Sequence, residues 1–289
     1  MVAFALNNPA VQSYIVYSAI LAIKLLSLAP MTGVTRVIRG VFANPEDAKS
    51  VKGGKVKYDD PVVERIRRAH LNDLENIPAF WVLGALYVTT GPVAAWATLL
   101  FRVYTLGRIL HTIVYAVVPL PQPARAIAFT VPMFVSFYMG LQVVLYYITA
   151  FSYLLYSAIL ALKVLAVAFL TGKARANKNV YANPEDARAR KGVVKYDDPD
   201  VERVRRAHLN DLENIPVFWV LGALYLTTAP SAWLATMLFR LFTAGRILHT
   251  LVYAVKPMPP PSRAIGFIIP YFISVFMGVQ VVLYYISAL

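Results

Sequence analysis

No cysteine occurs anywhere in the 289 residues. This absence excludes a disulfide framework, a thiolate metal site and a cysteine nucleophile supplied by the protein. Only four histidines are present, which argues against a histidine-based metal centre, so no metal is expected. The first residues, MVAFALNNPAVQS, lack the basic segment of a cleavable signal peptide, and we therefore expect the first helix to be retained as a membrane anchor.

Charged residues are also scarce, at 15% of the chain, whereas 58% of the residues are hydrophobic. Soluble globular domains are roughly 45–50% apolar. Apolar stretches at residues 14–30, 77–96, 109–120 with the apolar residues before it, and 126–148 approach the roughly 20 residues that a helix needs to cross a bilayer. The composition therefore predicts an integral membrane protein.

Three stretches of sequence occur twice. SYIVYSAILAIK (13–24) returns as SYLLYSAILALK (152–163), FANPEDA (42–48) as YANPEDA (181–187), and VERIRRAHLNDLENIP (63–78) as VERVRRAHLNDLENIP (201–216). The offset is 139 residues for the first two and 138 for the third, so the length change lies in a polar loop. This pattern predicts two folded copies, domains 1–149 and 150–289, with a seam near Ala150.

Each copy is predicted to contain four helices. In copy one they span residues 11–39, 61–90, about 93–118 and about 124–148, separated by proline-containing loops that disfavour helix. The acidic residues before Pro61 are typical of a helix start. Copy two repeats this plan from about residue 152 to 289.

The distribution of basic residues predicts the orientation. The loop after the first helix is rich in lysine and arginine, whereas the next loop, TTGPVA, has neither, so the first and third loops are expected to face the cytosol. Four spans return the chain to its starting side. The predicted fold is thus all-α and integral to the membrane, with two parallel repeats of a four-helix transmembrane bundle and eight transmembrane helices. The net charge of +13 is then largely a topology signal, and no nucleic-acid partner is expected.

The repeated charged segment opens the second helix of each copy. Arg68, Asn72 and Glu75 follow one another at helical spacing and share a face with Glu64, while Asp73 falls on another face. Charged residues at membrane depth usually face the protein interior or a wet cavity. Two interpretations stay open: a polar network at a solvated helix start, or a pocket for a small zwitterionic or anionic ligand, since arginine binds carboxylates with two hydrogen bonds.

Other polar residues interrupt the apolar helices. Arg108 and Tyr115 are seven residues apart and share a face of the third helix. Lys24 is expected to pair with a neighbouring carboxylate or to extend toward an interface. His111 and His249 fit hydrogen-bonded bundle histidines better than catalytic bases, because no carboxylate or nucleophile lies at a recognisable spacing.

The motifs FANPED, DDPxVERxRRAHLNDLENI, GRxxHTxxYAV and PQPxRA resemble the MAPEG superfamily of membrane proteins in eicosanoid and glutathione metabolism. The microsomal glutathione S-transferase branch is more similar than the prostaglandin E synthase branch, and the resemblance covers nearly all of both copies. It implies four transmembrane helices per unit, trimer-like packing of units, and glutathione bound between neighbouring units. It also implies a multi-pass protein of the endoplasmic reticulum membrane with cytosolic active-site loops, with the outer mitochondrial membrane as an alternative.

Carried over position by position, the resemblance implies a glutathione site in each copy. In copy one its contacts are Arg36, Asn44, Asp47, Arg68, His70, Asn72, Glu75, Arg108 and Tyr115. In copy two they are Arg175, Asn183, Asp186, Arg206, His208, Asn210, Glu213, Arg246 and Tyr253. Arg125 and Arg263 match the arginine that holds the sulfur as thiolate, so they are the candidate catalytic residues.

The implied chemistry needs no cysteine in the protein, because the co-substrate glutathione brings the thiol. A thiol with a pKa near 8.5 is only about 3% thiolate at pH 7, and a nearby guanidinium lowers that pKa. The implied activity is attack of the thiolate on a hydrophobic electrophile that arrives from membrane lipid, as in detoxification. Reduction of lipid hydroperoxides is the related second activity.

The chain departs from the family pattern in three ways. Ala48 and Ala187 replace a cysteine linked to activation by thiol reagents, and Ala126 and Ala264 replace a serine of the prostaglandin synthase. Two copies also do not divide evenly into a ring of three units. Three other functions stay open: a non-catalytic lipid-binding scaffold, a prostaglandin-synthase-like isomerase and a transporter built from parallel repeats.

Overall fold

The computed structural model describes residues 6–147, 152–259 and 261–286, and long helices dominate them. The all-α prediction is confirmed. The helices of copy one are α1 (Pro9–Arg39), α2 (Pro45–Ser50), α3 (Pro61–Thr89), α4 (Ala94–Thr112) and α5 (Ala124–Tyr147). The helices of copy two are α6 (Ser152–Lys178), α7 (Pro184–Ala189), α8 (Pro199–Thr227), α9 (Ala232–Thr250) and α10 (Ser262–Tyr285).

Five of the long helices are both long and apolar enough to cross a membrane. They are α1, α5, α6, α9 with its continuation to Val255, and α10. The chain is therefore a helical membrane protein, as predicted. Within the described residues α3, α4 and α8 do not meet both conditions, so the number of eight spans stays a prediction.

An aspartate precedes α3 and α8, as the sequence predicted. The carboxylate of Asp60 accepts hydrogen bonds from the backbone N–H groups of Val62 and Val63 at 3.1 and 3.2 Å, and Asp198 caps α8 in the same way. Burial alone raises the pKa of Asp60, but these N–H groups and the Arg39 guanidinium outweigh it, so the pKa lies below its ordinary value. The cap thus favours a charged carboxylate at the positive end of the helix.

The loop between the first two long helices of each copy contains short strands that the sequence did not indicate. Strand β1 (Val41–Phe42) pairs in parallel with β2 (Lys55–Val56), and β3 (Val180–Tyr181) pairs with β4 (Val193–Val194). A helix of six residues, α2 or α7, connects the two strands of each pair. Two residues are too few to show the alternation that identifies a strand.

The third long helix of each copy ends in a widened turn. Ile113–Val117 continues α4 as a π-helical segment, and Leu251–Val255 continues α9 in the same way. The predicted end near residue 118 is confirmed, but the sequence did not indicate the change of helix type. Segments of this kind occur frequently at functional sites.

The glycines that precede the buried arginines of α4 and α9 allow close packing of neighbouring helices. A Cβ atom added to Gly245 of α9 would lie 2.6 Å from Cγ of Pro270 in α10. The equivalent Gly107 of α4 faces Pro132 of α5 just as closely. Any side chain at these positions would therefore collide with a rigid proline ring.

Contacts group the chain into two compact units. One unit holds the residues up to Ile77 together with Gly91–Ser136, and the other holds Pro78–Thr90 and the residues from Phe137 onward. In the first, Tyr14 of α1 packs edge-on against Phe101 of α4, and in the second Phe218 of α8 stacks on Phe242 of α9. The seam proposed at Ala150 lies outside the described residues, so the domain boundaries stay a prediction.

Candidate functional site

A buried carboxylate of copy one binds two basic side chains from other helices. Asp73 of α3 is fully buried. Its Oδ1 accepts from Nε of Arg108 at 3.0 Å and from Nη2 at 2.5 Å, and its Oδ2 accepts from Nζ of Lys24 in α1. The predicted pairing of Lys24 with a carboxylate is therefore confirmed.

Copy two contains the same ion cluster. Asp211 of α8 accepts from Lys163 of α6 and from Nη2 of Arg246 in α9, the latter at 2.5 Å. The carboxylate and the two basic side chains must be buried together, because a lone charge of either sign is costly to bury. The repetition shows that the cluster belongs to the four-helix plan and is not an accident of one copy.

Each cluster also holds an asparagine that the family resemblance implied as a contact of glutathione. Nη2 of Arg108 donates to Oδ1 of Asn72 at 2.7 Å, and Nη2 of Arg246 donates to Oδ1 of Asn210 at 2.9 Å. Both arginines are buried in the protein. Because its oxygen is engaged, each asparagine is left with its NH₂ group to offer to a ligand.

A cavity of about 490 Å³ opens beside the cluster in copy two. We refer to it as the polar pocket. Five of the residues that the resemblance implied in copy two line it, namely Arg206, Asn210, Glu213, Tyr253 and Arg263. Its other lining residues are Leu209, His249, Ala264 and Phe267.

Two aromatic rings and a guanidinium form a stack in the polar pocket. Cζ of Arg263 lies 5.1 Å from the ring centroid of Tyr253, within the range of a cation–π contact. The imidazole ring of His249 stacks on the same Tyr253 ring, with the two ring centroids 5.3 Å apart. The stack fixes the position of a positive charge in a pocket that otherwise holds mainly neutral side chains.

Copy one has the same stack. Cζ of Arg125 lies 4.2 Å from the ring centroid of Tyr115, and His111 stacks on that ring at 5.3 Å. The Nδ1 atoms of His111 and His249 are buried and have no hydrogen-bond partner. The expectation of hydrogen-bonded histidines is therefore wrong at this atom. The spacing of four residues between histidine and tyrosine in both copies could have indicated the stack.

Several predicted residues of copy two lie elsewhere in the described part of the chain. Asn183 donates from Nδ2 to Oδ2 of Asp186 at 2.9 Å at the start of α7. His208 and Arg246 are buried, and Arg175 lies in the last turn of α6. None of these five residues lines the polar pocket as described.

The remaining predicted residues of copy one lie on the same elements as their counterparts, but His70 and Asn44 are more exposed than His208 and Asn183. Asn44 donates to Asp47 at 3.2 Å at the start of α2, and Arg36 lies in the last turn of α1. The side chains that stay partly accessible along α3 are Arg68, His70, Asn72 and Glu75. Glu64, expected beside Arg68, binds Arg67 at 2.7 Å. No group of three or more metal-ligating side chains occurs among the described residues.

Comparison with known proteins adds a family match over both copies. The family model described as MAPEG family matches residues 14–145 and 153–283. Microsomal glutathione S-transferase 1 of Rattus norvegicus is 42% identical over 130 residues, which cover 44% of this chain and 83% of that protein. The Homo sapiens protein of the same name is 46% identical over 119 residues, 40% of this chain and 76% of that protein.

A second kind of relative matches over a similar length. Prostaglandin E synthase of Macaca fascicularis is 38% identical over 139 residues, which cover 48% of this chain and 91% of that protein. Each of these three relatives thus corresponds to about one copy of the chain.

Proposed function

Because the chain belongs to the MAPEG family, as a tandem of two copies, we propose that it is a membrane glutathione transferase that conjugates glutathione thiolate to hydrophobic electrophiles. The names of the microsomal glutathione S-transferase 1 relatives support this activity. The observation that carries the proposal is the arginine on the tyrosine ring in the polar pocket, with Arg206, Asn210 and Glu213 beside it.

The polar pocket offers groups for both ends of glutathione. Arg206 and Glu213 lie seven residues apart on α8, which places their Cα atoms about 10 Å apart along the helix axis. A guanidinium binds a carboxylate with two hydrogen bonds, and a carboxylate accepts from an ammonium group. Glutathione carries both groups. The NH₂ group of Asn210, oriented by Arg246, would donate to a carbonyl oxygen between them.

Arg263 would act on the sulfur. A guanidinium beside a thiol stabilises the thiolate and lowers the thiol pKa. Contact with the Tyr253 ring limits the positions that Arg263 can adopt. The thiolate would attack the electrophilic carbon, form a carbon–sulfur bond and displace the leaving group. Arg125 and Tyr115 supply the same pair in copy one.

The same thiolate would support a second activity on lipid hydroperoxides. Two glutathione molecules would reduce the hydroperoxide to an alcohol and water and would themselves become glutathione disulfide. Substrates of both kinds partition into membrane lipid, which fits a site on helices that are apolar enough to cross a bilayer. We propose the endoplasmic reticulum membrane as the location.

An isomerase of the prostaglandin E synthase kind is the second candidate, because relatives of that name match a similar share of the chain at 38% and 41% identity. Glutathione would then assist the reaction without being consumed. Ala126 and Ala264 stand where the resemblance implies serine in that synthase, which favours the transferase. Measurement of glutathione consumption distinguishes the two activities.

The proposal is tested by titrating the detergent-purified protein with glutathione and following the ultraviolet absorbance of the thiolate. A generic aromatic electrophile is then added, and conjugate formation is measured. We expect thiolate and conjugate in the native chain and neither in the double variant Arg125→Ala/Arg263→Ala. Without the guanidinium, the pKa of the bound thiol would return to about 8.5, which leaves about 3% thiolate at pH 7.

A matched control removes two other arginines. Arg102 and Arg240 occupy equivalent exposed positions on α4 and α9, and each donates to a tyrosine hydroxyl at 3.0 Å. Arg102→Ala/Arg240→Ala should keep thiolate and conjugate formation. Normal turnover by Arg125→Ala/Arg263→Ala would contradict the proposal, and glutathione-free binding of lipid by the native chain would favour the scaffold.

A further inference from the structure

A cavity of about 310 Å³ lies in copy two among the end of α8, the start of α9 and the last turns of α10. We refer to it as the neutral pocket, because none of its lining side chains carries a charge. The polar pocket and the neutral pocket share no lining residue. Gln280 of the neutral pocket lies 17 residues beyond Arg263 on α10, about 26 Å along the axis. The neutral pocket is therefore separate from the site that we propose for glutathione.

A buried hydroxyl group in the neutral pocket lacks an internal partner. Tyr225 of α8 is 3% exposed, and its ring packs edge-on against Phe276 of α10 with the centroids 6.2 Å apart. Within the described part of the chain, the Tyr225 hydroxyl makes no hydrogen bond. Buried polar groups nearly always have a hydrogen-bond partner, so the partner of this hydroxyl must come from outside the chain.

In copy one the chain itself supplies that partner. Tyr87 is the counterpart of Tyr225, 138 residues earlier, and is also 3% exposed. Tyr138 stands where copy two has Phe276, and it shares a hydrogen bond with the Tyr87 side chain. The two rings meet edge-on at 6.3 Å, nearly as in copy two. The change from tyrosine to phenylalanine thus keeps the ring contact and removes the hydrogen bond.

Two further differences between the copies enlarge the neutral pocket and make it more polar. Leu234 stands where copy one has Trp96, and Ser231 stands where copy one has Val93. The tryptophan of copy two lies one position earlier, at Trp233, which is 73% exposed and does not line the pocket. One residue turns a side chain by about 100° around a helix, so the large ring points away from the cavity.

The neutral pocket can hydrogen-bond a hydroxyl group. Oγ of Ser231 accepts from the backbone N–H of Leu234 at 3.3 Å, which leaves its O–H free to donate. The side-chain amide of Gln280 makes no hydrogen bond with any described residue, and it offers both a donor and an acceptor. Because the lining provides no cation, a phosphate or carboxylate would be buried there without a counter-ion.

We propose that the neutral pocket binds a neutral lipid that carries a hydroxyl head group, such as a sterol or an acylglycerol. The Tyr225 hydroxyl and the Gln280 amide hydrogen-bond the lipid hydroxyl, and Leu234 and the Phe276 ring contact its apolar body. Both α9 and α10 are apolar enough to cross a membrane. Gln280 lies five residues before Tyr285, the last residue of α10. The pocket is therefore near the level at which a lipid hydroxyl enters the head-group layer.

The proposal is tested by equilibrium binding of tritiated lipids to the purified chain in phosphatidylcholine nanodiscs, without glutathione. Cholesterol and 1-oleoylglycerol are the neutral probes, which distinguish a ring from an acyl chain. We expect saturable binding of at least one of them. Oleoyl lysophosphatidic acid differs from 1-oleoylglycerol by one phosphate group and should bind about tenfold more weakly or not at all, because its charge would be desolvated.

Three variants restore the residue of copy one at a position that lines the neutral pocket. Leu234→Trp should abolish saturable binding by filling the cavity. Phe276→Tyr should weaken binding about tenfold, because the new hydroxyl group pairs with Tyr225 in place of the lipid. Ser231→Val should also weaken binding by removing a donor. Each variant introduces a side chain that the equivalent helix of copy one already holds, and thermal unfolding verifies that it folds.

The matched control is Leu241→Val. It also restores a residue of copy one, Val103, on the same helix as Leu234. Leu241 is 46% exposed and does not line the neutral pocket, so native binding is expected. Absence of saturable binding of both neutral lipids would show that only water fills the pocket and would overturn the proposal. Native binding by Leu234→Trp, or equal binding of oleoyl lysophosphatidic acid, would also overturn it.

The binding result is independent of the proposed activity. Saturable lipid binding by a native chain that forms no thiolate would reject the transferase and retain the lipid site. Thiolate formation by a native chain that binds neither neutral lipid would do the reverse.

Discussion

Asp73 and Asp211 each bind a lysine and an arginine in the interior of a four-helix copy. A buried ion cluster is expensive to desolvate, and its members stabilise the fold only while all of them are present. The cluster also fixes the side chains of Asn72 and Asn210. At the scale of single residues, stability and ligand positioning therefore depend on the same carboxylate.

We expect Asp211→Asn to lower the free energy of unfolding by about 3–5 kcal/mol, since Lys163 and Arg246 lose their carboxylate in a buried position. Chemical or thermal unfolding of the detergent-purified protein measures this loss. The control Asp59→Asn changes a carboxylate whose side chain is 77% exposed and should shift stability by less than about 0.5 kcal/mol. Equal effects of the two variants would show that the cluster adds no stability.

The caps act at the scale of the helix. Asp60→Ala removes two hydrogen bonds to the start of α3 and should cost about 1 kcal/mol. The pKa of Asp60 is lowered in the folded protein. The ionised carboxylate therefore contributes to the free energy of unfolding above the unfolded pKa of about 3.9, and this contribution is lost as the pH falls through the folded pKa.

Unfolding measured from pH 7 into this acid range checks the sign of this pH dependence. The native chain should lose more stability than Asp60→Ala, because the variant lacks the titrating group. Asp60→Asn keeps an oxygen acceptor without the charge and serves as the control. A native chain and an Asp60→Ala variant with parallel pH profiles would contradict the pKa shift.

The close packing of α9 on α10 gives a second prediction at the scale of the helix. Gly245→Ala would place a methyl group 2.6 Å from Cγ of Pro270 and should destabilise the protein by about 1–3 kcal/mol. A Cβ atom added to Gly172 of α6 would meet nothing within 4 Å. Gly172→Ala should therefore leave the free energy of unfolding unchanged or raise it by up to about 1 kcal/mol. Thermal unfolding of both variants tests the difference, and a stabilising Gly245→Ala would exclude the close contact.

The helix ends could be predicted because prolines, acidic caps and loop glycines mark them locally. α3 was expected at residues 61–90 and spans Pro61–Thr89. The two-residue strands and the π-helical segments could not be predicted in this way, since they depend on hydrogen bonds between residues whose side chains show no pattern.

At the scale of the whole molecule, the two copies have the same candidate residues and differ in their surroundings. Both contain the arginine–tyrosine–histidine stack. We therefore expect Arg125→Ala and Arg263→Ala, each alone, to keep about half of the thiolate absorbance per chain. Stopped-flow absorbance at saturating glutathione measures this amplitude. Complete loss in one single variant and none in the other would show that only one copy forms thiolate.

The site could be predicted only in part. The spacing of Arg206, Asn210 and Glu213 on one helix face correctly grouped residues that line one cavity. The same reasoning could not reveal that Arg246 binds Asp211 in the interior, because spacing within one helix does not say which helix its face meets. Nor could a near-perfect repeat show that Leu165 is buried while Leu26 is exposed.

The π-helical segments also set the direction of a side chain. A π-helical turn closes its hydrogen bond over one residue more than an α-helical turn, so it changes the direction in which the following side chains point. Ile113–Val117 and Leu251–Val255 occupy equivalent positions, and each contains the tyrosine that stacks on the arginine. The widened turn therefore sets the direction in which each tyrosine ring faces its arginine.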